Sequence, residues 1–144
     1  MQITQEADYA TRTILHLARA CDGNLIATHE IARQQKIPPS FLAKIVSQLS
    51  TAGLLYTSRG ARGGVRLSKS PKNITLLEVI EAIDGPIRLN VCTQKEGRCS
   101  LEGNCPLQRV WCMAQQALVK RLRNTNFAQL SASEPSMAIP GDGR

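Results

Sequence analysis

The stretch from Thr28 to Leu67 admits few folds. Pro38-Pro39-Ser40 opens an apolar-periodic run, Phe41, Leu42, Ile45, Val46 and Leu49, that Gly53 closes. Proline in a first turn forfeits no hydrogen bond, and the spacing is helical. Upstream, Thr28 to Gln35 reads as a shorter helix that the Thr28 hydroxyl can cap. Downstream, Leu54-Leu55-Tyr56-Thr57 and Val65-Arg66-Leu67 read as two short strands around Ser58-Arg59-Gly60-Ala61-Arg62-Gly63-Gly64. Two short helices joined by a tight turn form a helix-turn-helix, and a β-hairpin directly after the second helix is a wing. Its three glycines let the backbone approach a groove closely, and its arginines, Arg59 and Arg62, can enter it. The loop does not match a phosphate-binding P-loop, because no G-x-x-x-x-G-K-[ST] pattern is present and the glycines open no helix.

Charge falls on the same stretch. Between Ile31 and Leu77 there is no Asp or Glu, while Arg33, Lys36, Lys44, Arg59, Arg62, Arg66, Lys69 and Lys72 supply eight positive charges. The rest of the chain holds ten basic and eleven acidic residues, so the net charge of +7 is local. A merely solvated basic face would have acids interspersed. A cationic stretch without them is the footprint of a surface that meets the phosphate backbone of nucleic acid.

The flanks complete a single domain, as 144 residues permit. Ile3, Ala7, Ala10, Ile14 and Leu17 give the helical period to a first helix from Thr4, its N-cap, to about Cys21. Thr75 caps a fourth helix that Asp84-Gly85-Pro86 ends. Arg88 to Asn104 lose periodicity. From Cys105 onward Leu107, Trp111, Ala114 and Leu118 fall at heptad-like gaps, with Val110, Ala117 and Leu122 beside them, a seam suited to a second copy of the chain. These readings define a mainly α fold: a winged helix-turn-helix over 1–86, a cysteine-bearing loop over 87–106, a long dimerisation helix over 107–130 and a disordered tail over 131–144. The tail is small, polar and rich in Pro and Gly. No run approaches the ~18 apolar residues of a membrane span, and the N-terminus lacks an export leader, so a soluble, cytoplasmic protein is expected. In that compartment the five cysteines are thiols, metal ligands or catalytic groups rather than disulfides.

Cys92, Cys99 and Cys105 follow a C-x6-C-x5-C spacing. Three thiols on one irregular loop can converge on one centre, and soft thiolates select an iron-sulfur cluster, zinc or Cu(I). Structural zinc sites usually carry C-x2-C pairs, absent here, and wider gaps suit a bulkier cluster. Inert buried cysteines are the alternative, but this loop also carries Lys95, Glu96 and Arg98. Cys21 and Cys112 read as packed helix residues, and His16 and His29 as structural or solvent-facing. No nucleophile-base pairing or facing carboxylate pair is visible, and two histidines leave little acid-base capacity, so an enzyme is not expected. A small electron carrier would explain the cysteines but leaves the acid-free segment unaccounted for.

Taken together, the first helix with Asp8-Tyr9-Ala10, the run from Pro38 to Leu54, the wing from Arg59 to Lys69, the helix from Leu76 to Pro86 and the three cysteines resemble the Rrf-two family of bacterial winged-helix regulators over roughly Met1 to Leu130. The resemblance implies a homodimer on double-stranded promoter DNA, a cluster, [4Fe-4S] or [2Fe-2S], near the dimer seam, and DNA affinity that responds to iron-sulfur, redox or nitric oxide status. It implies Ser40, Phe41 and Lys44 in the major groove, Arg59 in the minor groove and Pro38 at a further DNA contact. IscR-like members carry histidine three residues after the last cysteine, where this chain has Gln108. NsrR-like members use an aspartate of the first helix from the partner subunit, here Asp8, with Glu6 and Cys112 as weaker candidates. A zinc- or thiol-based winged-helix regulator without a cluster is the rival reading.

Overall fold

The computed structural model describes residues 2–20, 22–94, 99–101 and 103–133. Expectations for Cys21, for Lys95, Glu96 and Arg98, and for the tail from 134 onward lie outside the described residues. The order is α1 (Gln5–Ala20), α2 (Thr28–Gln35), α3 (Pro39–Thr51), a wing of β1 (Leu55–Ser58) and β2 (Gly64–Leu67), α4 (Leu76–Asp84), α5 (Pro106–Arg123) and α6 (Phe127–Ala132). The fold is therefore mainly helical with a two-stranded antiparallel hairpin, a winged helix.

Local chemistry sets most boundaries. Thr4 caps α1, its hydroxyl accepting the Ala7 N–H at 3.1 Å. Thr75 and Glu78 form a capping box at α4. The α3 exit is a Schellman motif: Leu54 N–H bonds Leu49 O at 2.9 Å, Gly53 N–H bonds Ser50 O at 3.0 Å, and Gly53 adopts φ +77°, a conformation glycine reaches without penalty.

The cap expected at Thr28 is instead Ala27, which has no side-chain cap bond. The cause is tertiary: Ile26 pairs with Val65 of β2 through bonds of 2.9 and 2.8 Å, holding the chain extended up to Ala27. The same contact gives the wing glycines a second role. A Cβ on Gly64 would sit 2.5 Å from Ile26 O, and one on Gly63 would strike Ser58 O, so both glycines serve close packing within the protein itself.

The core joins α1, α2, α3, the wing and α6, with Ile14, Ile31, Leu42, Ile45, Leu49, Val65, Ile74 and Phe127 at its centre. A satellite cluster of Leu77, Ile80 and Ile87 receives Leu118, Val119 and Leu122 of α5. The seam expected over 107–130 is divided. It breaks after Arg123, Asn126 caps α6 with Gln129 in a second capping box, and Phe127 returns to the core against α1. The turn that allows this is pinned to α4, because Leu76 N–H bonds Thr125 O and Phe127 N–H bonds Ile74 O.

Candidate nucleic-acid interface and cysteine pocket

Because α3 buries Leu42, Ile45, Val46 and Leu49, the residues between them face outward. Pro38, Ser40, Phe41 and Lys44 are all exposed, and Arg59 and Arg62 project from the wing. All eight cations of the acid-free segment lie at the surface. An open groove runs between the α2 N-terminus, α3 and the wing, with Thr28, His29, Ala43, Ser47 and Arg59 among its walls. Sequence reasoning misses Thr28 and His29 as groove residues. The available signal is their place at the start of the first helix of the helix-turn-helix.

Two recognition-helix residues are held from behind by α1. The Phe41 ring stands edge-on to Tyr9, with centroids 6.2 Å apart and planes at 76°. Lys44 Nζ lies 3.0 Å from both carboxylate oxygens of Glu6. Nothing in local sequence marks that pair, since 38 residues separate its members. The Arg12 guanidinium lies 4.8 Å from the Tyr9 ring centroid, donates to Gln35 O at 3.0 Å and meets Asp8 Oδ2 at 3.1 Å.

Three of the cysteines gather around the start of α5. Cys92 sits in a short turn at Val91–Thr93, Cys105 caps the start of α5, and both are half-buried, as is Cys99. All three line one pocket of about 340 Å³ with Asn90, Leu101, Leu107, Gln108 and Trp111. Cys92, Cys99, Cys105 and Cys112 are free thiols. Among the described residues no three His, Cys, Asp or Glu side chains stand close enough to hold a single metal ion. The thiols thus share a pocket without meeting at one point. Gln108 Oε1 accepts the Gly103 N–H at 3.4 Å. Asp8 does not line the pocket; it is exposed on α1 beside Arg12. Glu6 is engaged with Lys44. Along α5, Leu107, Val110, Trp111 and Met113 are exposed, and none of its residues is buried.

A helix-turn-helix with a hairpin wing and a wholly exposed set of cations defines the winged-helix class of transcriptional regulators. Within that class the chain belongs to the Rrf2 (Rrf-two) family, whose model, described as "Iron-dependent Transcriptional regulator", matches residues 3–133. This is a family of regulators rather than enzymes. The chain is 37% identical over 87 residues to HTH-type transcriptional regulators from two strains of Mycobacterium tuberculosis, a match that covers 60% of this chain and 54% of theirs, about half their length. Its structure is similar to that of CymR, the global cysteine regulator of B. subtilis, with TM-score 0.77 at 26% identity over 91% of this chain and 96% of that one. It is also similar to a transcriptional regulator from Listeria innocua, with TM-score 0.78 at 28% identity over 98% and 94% of the two chains. The fold is shared with T. potens IscR, with TM-score 0.74 at 20% identity over 96% and 93%.

Proposed function

We propose that the protein is a transcriptional regulator that binds double-stranded promoter DNA as a homodimer and reads the state of an iron-sulfur cluster, [4Fe-4S] or [2Fe-2S], held by Cys92, Cys99 and Cys105. The observation that carries this reading is the pairing of two surfaces on one fold. One is the acid-free segment of the winged helix, whose cations are all exposed, and the other is a pocket walled by three free thiols next to a helix with exposed apolar residues.

The DNA surface follows from general principles. The cations outside α3 provide phosphate attraction, whereas base reading falls to the outward side of α3. Ser40, Phe41 and Lys44 face the major groove from α3, with Pro38 at its start, and Arg59 and Arg62 reach from the wing. The exposed stripe of Leu107, Val110 and Trp111 seats a second copy, whose symmetric placement suits a pseudo-palindromic site.

The donor set fits a cluster: three free thiols, soft sulfur, line one pocket. When bound, the cluster supplies a centre that reacts with oxidants and nitric oxide. The partner subunit's Asp8 completes the ligand set. That carboxylate is 58% exposed, and its ion pair with Arg12 is a surface i, i+4 pair, so little opposes its release. Among the described residues no helix is long and apolar enough to cross a membrane. The protein works in the cytoplasm, where its thiols stay reduced.

The rival is a zinc- or thiol-based regulator without a cluster, and its thiol form is favoured by the absence of three convergent ligands among the described residues, since zinc needs such ligands too. Anaerobic purification separates the two. A cluster gives a brown protein with iron and acid-labile sulfide, and Cys99→Ser bleaches it. A colourless wild-type protein carrying zinc, or colour retained in Cys99→Ser, overturns the assignment.

A further inference from the structure

We infer that Glu6 is a specificity-determining residue of the DNA surface, withholding the Lys44 ammonium from backbone phosphates so that it is spent on base edges. This rests on the DNA-binding reading above and assigns a role to a residue that is itself outside the recognition helix.

Among the described residues, two of the eight cations of the acid-free segment have a carboxylate within ion-pair distance, Lys44 with Glu6 and Lys69 with Glu78. Only Lys44 lies on α3. Its contact is two-pronged, 3.0 Å to each oxygen of Glu6, and the geometry is lopsided: the Glu6 side chain is 28% exposed and that of Lys44 58%. The carboxylate is therefore the sheltered anchor and the ammonium the outward group. Glu6 cannot easily follow the lysine. Thr4 caps its helix turn and donates its own N–H to Asp84 Oδ2 at 3.1 Å, and Tyr9 holds Phe41 one turn further on.

An unpaired lysine on a flexible stem takes any phosphate in reach, which strengthens binding to every sequence alike. An ammonium has three donors. With two given to Glu6, the third remains for a neutral acceptor such as guanine O6 or N7. A phosphate taking that third donor would meet an ammonium already neutralised by Glu6 and would lie beside its carboxylate, a like-charge cost that a neutral base edge does not bear. Penalising the wrong contact in this way raises discrimination without adding a favourable contact to the right one.

The test compares full-chain wild type with Glu6→Gln on two duplexes, one of random sequence and one enriched from a randomised pool by the wild-type protein, across a salt series. Glu6→Gln should bind the random duplex about threefold more tightly near 0.1 M salt, the scale of an exposed ion pair. Its log–log salt slope should steepen by about 0.9, one added phosphate contact. Affinity for the selected duplex should change less, so the preference for it shrinks. Glu6→Asp, which keeps the charge, should retain the wild-type slope, and in a Lys44→Met background Glu6→Gln should not add the phosphate contact that steepens it. An unchanged slope in Glu6→Gln, or equal weakening on both duplexes, overturns the role. Wild-type protein that binds no duplex at any salt overturns the DNA-binding reading itself, an outcome distinct from either.

Discussion

Helices α3 and α5 are both amphipathic, yet α3 buries Leu42, Ile45, Val46 and Leu49 while α5 buries no residue and leaves Leu107, Val110, Trp111 and Met113 exposed. The recognition helix is fixed by its own chain, clamped between α1, α2 and the wing. The helix beside the cysteine pocket packs apolar side chains at its far end, Leu118, Val119 and Leu122 against Leu77, Ile80 and Ile87, and a hydrogen bond from the Leu89 N–H to Gln115 at 3.0 Å ties its middle. A part that must present side chains to a groove at fixed positions gains from a rigid bed. A part that reports a chemical change gains from packing that a ligand or a partner completes.

Large-to-small substitutions should expose that contrast most strongly. Ile45→Ala, at a fully buried position of α3, should lower stability by about 3 kcal/mol in urea unfolding. Leu107→Ala should change it by less than about 0.5 kcal/mol in dilute protein. Similar losses at both sites would mean that α5 is bedded in its own chain as firmly as α3.

Next in size is the wing root. Gly64→Ala should cost about 2 kcal/mol, read as a lowered melting midpoint, because its Cβ meets the Ile26 carbonyl and not a movable side chain. A melting temperature equal to wild type would show that the Ile26–Val65 bridge does not tie the wing to the body.

Binding by the wing sharpens the comparison at the DNA itself. Arg59→Ala should weaken binding about tenfold, or about 1.4 kcal/mol, on sites with A·T-rich flanks, whose narrow minor groove concentrates negative potential, and less elsewhere. Equal loss on all flanks, measured by titration, would recast Arg59 as a phosphate anchor.

The smallest effect is at the α4 cap. Partial burial of Glu78 opposes its ionisation, but hydrogen bonds from the Thr75 N–H, Lys69 and the Thr75 hydroxyl outweigh it and hold the carboxyl below its ordinary 4.5. A carboxylate lowered on folding stabilises fully above its unfolded-state value, and the contribution is lost as pH falls through the folded one. Glu78→Gln should therefore cost under about 1 kcal/mol at pH 7 and flatten the acid limb of the stability profile. An unaltered acid limb would remove Glu78 from the pH response.

Many of these features are legible in the chain's local chemistry. Thr4 and Thr75 as caps, Pro39 and Gly53 as the ends of α3, the hairpin and the helix from Pro106 each depend on residues within a few positions of one another, where periodicity and capping act. The surface position of the basic residues follows from charge, since burying eight cations would cost far more than the fold gains. Other features depend on distant partners. The cap of α2 shifts to Ala27 because Ile26 pairs with Val65, and the seam over 107–130 divides because Phe127 returns to α1.

Sequence alone determined the class of fold, the acid-free segment and the spacing of Cys92, Cys99 and Cys105, because these are properties of short segments and of charge that must remain in water. Tertiary structure decided which groups meet. It set Glu6 against Lys44, Tyr9 against Phe41 and the three thiols around one pocket, and it left Leu107, Val110, Trp111 and Met113 of α5 exposed. Such pairings arise when packed helices bring residues dozens of positions apart into contact, and no local periodicity encodes which residues those will be.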